Sequence, residues 1–180
     1  MQGIRRQGRS FALQLLYQAE LTQQGDEESL ARFWLTVDAS ARARDFALEL
    51  VRATLKQRTE IDKRLTANLE HWKLGRLSVI VRNVLRLAVC EMLMLRQTPH
   101  AVVINEAVDL TRSFMDEESA PFVNKVLEKC WQADGSKPAQ PSGEKPAEKS
   151  AEKPAEKSAE KSTAKPATKP AAKRRRTQDA

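Results

Sequence analysis

The chain has 180 residues, and 31 lysines and arginines against 24 acidic residues give it a formal charge of +7. No apolar run approaches the roughly 20 residues that a bilayer-spanning helix needs, and the N-terminus lacks the apolar stretch of a secretory signal, so a cytoplasmic protein is expected. From Gly135 onward nine lysines and three arginines face five glutamates and one aspartate, whereas residues 1–134 hold 19 basic and 18 acidic groups; a nearly neutral body of single-domain size carries a basic tail.

In "IRRQGRSFALQLLYQAEL", residues 4–21, the apolar positions Phe11, Ala12, Leu15, Leu16 and Ala19 form one stripe of a 3.6-residue period. This predicts a first helix ending near Gly25. Its start carries Arg5, Arg6 and Arg9. A helix N-terminus is partially positive, so exposed arginines there are disfavoured by roughly 0.3–1 kcal/mol each. They call for an anion. Arg6 and Tyr17 differ by eleven positions, which leaves them about 20° apart around the helix, and Arg9 flanks that line. Cations followed by an aromatic face fit single-stranded RNA, but they fit solvated arginines and a half-buried tyrosine as well.

"EESLARFWLTVD" predicts a short second helix with Leu30, Phe33, Trp34 and Val37 on its apolar side. From Ala41 to about Trp72 the pattern continues without Pro or Gly, giving one long helix or two that meet near Arg58. "RLSVIVRNVLRLAVCEMLML" is apolar nearly all round and is the expected central core helix. Beyond Pro99, "VVINEAVDLTRSF" resumes the helical period. In "DEESAPFVNKVLEKCW", Ser119 is the expected cap and Pro121 an early helical residue. No segment alternates with period two, so the fold class is all-α. The Lys/Pro/Ala/Glu-rich segment 135–180 has nothing larger than Ala to bury through most of its length and is expected to be a disordered tail that attracts polyanions without reading sequence.

Groups able to do chemistry are sparse. His71 and His100 are the two histidines, Cys90 and Cys130 lie in apolar patterns as reduced core thiols, and no glycine-rich phosphate loop is present. No catalytic residue, metal site or cofactor is expected, and the protein is read as a binding protein, not an enzyme.

Three segments, "RSFALQLLY", "RLSVIVRNVLRLAVCEML" and "INEAVDLTRSFMDEESAPFVNKVLEKC", resemble the NusB family in its own order across residues 4–131. The resemblance implies two small helical bundles forming one compact domain, residues 1–134, with transcription antitermination as its role. It implies binding of the boxA RNA of ribosomal RNA leaders together with NusE, a ribosomal protein, within the RNA polymerase antitermination complex, the free protein being a monomer or weak homodimer. Carried onto this sequence, the RNA-binding residues are Arg5, Arg6, Arg9, Tyr17, Arg86, Phe114, Glu118, Phe122 and Asn124, and Val81 stands near the partner-binding surface, where members often have an acidic residue. Each has a second reading: Phe122 as core, Arg86 as the partner of an acidic neighbour, Asn124 as a satisfier of buried backbone groups. Asn105 and Glu106 read as architectural. Two other functions fit parts of the pattern: the NusB-like front domain of a ribosomal RNA cytosine methyltransferase, and a helical interaction protein with no RNA role.

Overall fold

The computed structural model describes residues 3–135, and the expected tail lies outside them. Helix α1 spans Ile4–Thr22, α2 Glu27–Phe33, α3 Ala41–Lys56, α4 Arg58–Asn68, α5 Val79–Val89, α6 His100–Phe114 and α7 Ser119–Ala133. A 3-10 turn, Leu74–Arg76, precedes α5, and a π-helical segment, Cys90–Leu95, prolongs it. Among the described residues there is no strand, and no helix is long and apolar enough to cross a membrane.

Side-chain caps set three of the helix starts. Asp26 caps α2 by accepting from Ser29 N at 2.8 Å, Ser40 caps α3 from Ala43 N at 3.3 Å, and Ser78 caps α5 from Val81 N at 3.2 Å. Helix α1 stops at Thr22, before Gly25, where Gln23 turns left-handed at φ 56°. Ser119 does not cap α7. It is the first helical residue, and its backbone N–H donates to Asp116 Oδ1 at 2.6 Å. The stretch read as one long helix, or as two that meet near Arg58, divides at Gln57, whose φ of −105° and ψ of 13° end α3 and admit α4 without Pro or Gly.

Helices α1, α2 and α3 form one bundle and α4 to α7 the other, and α5 packs against helices of both. In α5 the run Asn83–Val89 is buried without interruption, as its all-round apolar pattern predicts. Gly8 permits the close crossing of α1 and α3: a Cβ there would lie 2.7 Å from a ring carbon of Phe46 and 3.0 Å from the Ala43 carbonyl. Phe11, Phe33 and Trp34 meet edge to face at centroid distances of 5.0–6.4 Å, fastening α2 to α1. Cys90 and Cys130 are free and buried in the shared core.

Candidate nucleic-acid interface

The anions that the first helix calls for lie partly inside the protein. Arg9 is only 6 % exposed, not at an open helix start. Its Nε and Nη2 donate to the two oxygens of buried Glu91 at 2.8 and 2.6 Å, and its Nη1 donates to Glu106 at 3.4 Å. Arg6 also reaches Glu106, through Nη2 at 2.9 Å, and Asp109, and these charges and hydrogen bonds, Glu106 foremost, raise its already high pKa. Glu106 is therefore architectural, clamping α1 to α6, and Asn105 is exposed.

Arg5 differs from both. It is exposed, donates to Thr98 Oγ1 at 3.1 Å, lies 5.6 Å from the centroid of the Phe46 ring, and has no carboxylate partner among the described residues. The side chain of Arg6 stays 46 % exposed despite its ion pairs. The positive end of α1 thus presents two accessible guanidiniums on a rigid helix, with the third, Arg9, fixed beneath them. Phe114 shares a hollow of about 90 Å³ with Arg6, and Tyr17 is exposed further along α1.

A second feature lies at the start of α5. Val81 is 5 % exposed and forms part of the wall of a groove of about 490 Å³ together with Arg76, Met115, Glu118, Phe122 and Trp72. Phe122 is half-buried and meets the Trp72 ring edge to face at 5.9 Å. Trp72 itself is 56 % exposed. Periodicity alone puts this residue at the end of a helix, three positions after Leu69; it stands instead in the connection after α4, and no signal in the sequence marks it as exposed. Asn124 is exposed on α7 and, among the described residues, satisfies no buried backbone group.

Arg86 lies apart from these surfaces. It is 5 % exposed, and its Nε and Nη2 donate to Asp62 at 2.7 and 2.9 Å while Nη1 donates to Glu20 and Asn83 at 3.1 and 3.2 Å. Arg86 is thus the partner of acidic neighbours, buried with all three guanidinium nitrogens engaged, whereas Arg6 keeps an exposed side chain whose Nη1 takes no part in its ion pairs. Burial pushes the Glu20 carboxyl up, but Arg82 and Arg86 outweigh it and hold that group below the ordinary carboxylate range.

Residues 6–132 match the model of the NusB family. The transcription antitermination protein NusB of Bacillus mycoides is 41 % identical over 123 residues, covering 68 % of this chain and 93 % of that one. Its counterpart in Anaeromyxobacter dehalogenans is 40 % identical over 141 residues, covering 78 % and 97 %. Among solved structures, a crystal structure of the antitermination factors NusB and NusE in complex with double-stranded RNA superposes with a TM-score of 0.66 at 28 % identity, covering 74 % of this chain and 99 % of that one.

Proposed function

This chain belongs to the NusB family, and from that premise we propose that it is a transcription antitermination factor acting by binding and not by catalysis. With NusE it takes the boxA RNA of ribosomal RNA leaders, in the cytoplasm, as part of the RNA polymerase antitermination complex. The free protein is a monomer or weak homodimer. The observation that carries this reading is the pair Arg5 and Arg6, held open at the positive end of α1 with Arg5 lacking a carboxylate partner among the described residues.

In this reading Arg5 and Arg6 hold phosphates, and Tyr17, Phe114 and the Trp72–Phe122 pair offer aromatic surface to bases. Glu118 and Asn124 flank that surface with polar groups. Arg9 and Arg86 act through the carboxylates they position. NusE occupies the groove beside Val81, whose apolar side chain replaces an ionic contact with packing.

Titration of labelled boxA RNA at several salt concentrations, with and without NusE, tests the proposal. Arg5→Ala combined with Arg6→Ala is expected to weaken binding, and the salt slope should flatten by about 0.7 for every phosphate that the double variant no longer neutralises. Unchanged affinity and slope would remove the arginines from the interface. Failure to form a complex with NusE at micromolar concentrations would remove the partner.

A further inference from the structure

The two accessible guanidiniums at the start of α1 are not equivalent. Arg5 meets no carboxylate among the described residues, whereas Arg6 meets two, Glu106 and Asp109. A phosphate that approaches Arg6 finds its charge already neutralised, so one of the two carboxylates has to give way.

Their geometry distinguishes them. Glu106 accepts from Arg6 Nε at 3.1 Å and Nη2 at 2.9 Å and from Arg9 Nη1 at 3.4 Å, and its side chain is 18 % exposed. Two guanidiniums hold it in place as the clamp between α1 and α6. Asp109 takes its hydrogen bond from Arg6 through Nη2 alone, and its side chain is 43 % exposed. A second cation stands within its reach. Arg112, one turn further along α6, brings Nη1 to 3.5 Å from Asp109 Oδ1, and a small side-chain rotation turns that approach into a hydrogen-bonded pair. On leaving Arg6, Asp109 therefore exchanges one exposed ion pair for another, and such pairs are individually weak.

Asp109 lines the hollow of about 90 Å³ beside Arg6, together with Ser10, Ser113 and Phe114. A phosphate offers a guanidinium the same paired anionic oxygens that a carboxylate does, and the Arg6 Nη1 that takes no part in the ion pairs is a further donor for it.

We propose that the Asp109 carboxylate holds the place of an RNA phosphate: it occupies Arg6 in the free protein, and the RNA backbone displaces it toward Arg112 on entering the hollow. The inference rests on the reading of Arg6 as a phosphate contact and deepens it, because the contact becomes an exchange of anions instead of capture by a free cation. Arg5 needs no such exchange and is the guanidinium that a strand meets first. Asp109 is thereby a residue that sets RNA affinity without itself holding RNA.

Labelled boxA RNA and a scrambled RNA titrated with the full chain and with Asp109→Asn, Arg6→Ala and the double variant provide the test. Asparagine keeps the shape of Asp109 and removes its charge, and Glu106 still holds Arg6, so the melting temperature of Asp109→Asn is expected to match that of the parent. Its RNA affinity should rise about threefold, the order of effect that an exposed ion pair sustains. The rise should disappear in the Arg6→Ala background, because Asp109 acts through Arg6. It should be as large for the scrambled RNA, because a phosphate contact reads no base. No rise overturns the exchange, and so does a rise that persists without Arg6, which would reduce Asp109 to general repulsion of RNA. A rise confined to boxA would put a base at Arg6 and overturn it as well. Unchanged affinity in Arg6→Ala alone would remove the arginine surface and this inference together, whereas a weakened Arg6→Ala beside an unimproved Asp109→Asn would remove the inference and leave that surface standing.

Discussion

Arg5 and Arg9 lie four residues apart on one helix and carry the same charge, yet burial gives them different roles. Replacing Arg9 by alanine leaves Glu91, 2 % exposed, without the guanidinium that neutralises it, and removal of one partner from a buried pair typically costs about 3–5 kcal/mol. Arg9→Ala is therefore expected to lower the urea midpoint sharply, whereas Arg5→Ala, which removes one hydrogen bond and a ring interaction, should shift stability by about 1 kcal/mol or less. An RNA-binding defect in Arg9→Ala would then have to be separated from loss of fold by circular dichroism. Glu20 gives a pH prediction at the same scale. Its folded pKa lies below the ordinary 4.5, so the unfolded state binds the proton more readily. The stability it contributes is present above that ordinary value and is lost as the pH falls through the folded pKa. Glu20→Gln should flatten this acid limb of the stability curve; an acid limb identical to that of the parent would refute the assignment.

At the scale of elements, the α1–α3 crossing rests on Gly8. Alanine would favour the helix by about 1 kcal/mol in isolation. Against this stands a Cβ 2.7 Å from the Phe46 ring and 3.0 Å from a backbone carbonyl, and overpacking typically costs about 1–3 kcal/mol. Gly8→Ala is expected to lower the melting temperature in thermal unfolding, and a rise would show that the two helices separate easily. The same scale shows where the sequence pattern is legible. The apolar periods locate every long helix. The break at Gln57 has no residue signature. It arises because α3 packs on α1 while α4 packs on α5 and α7, so the chain must change direction between two bundles. The α7 start misleads for a related reason: Ser119, the expected cap, lies just inside the helix because the connection from α6 brings Asp116 to its N–H.

At the scale of the whole molecule, the two bundles share a core that holds both thiols. Burial pushes the Cys130 thiol up to about 11 and also raises that of Cys90, so thiolate is scarce at neutral pH and access is closed. Under native conditions both cysteines are expected to react with a thiol reagent only through opening of the core, at rates that rise together with urea; fast labelling of one alone would show that the bundles open separately. The amino-acid sequence by itself determined the all-helical class, the central position of α5, the buried thiols and the family likeness, because helical periodicity and motif order are properties of residues close together along the chain. Tertiary structure decided which arginines remain open. Arg9 meets Glu91 across 82 residues and Arg86 meets Glu20 across 66, whereas Arg5 meets no carboxylate among the described residues. Charge pairing over such separations depends on which helices pack together and on how much water they exclude, and neither is written in a local pattern.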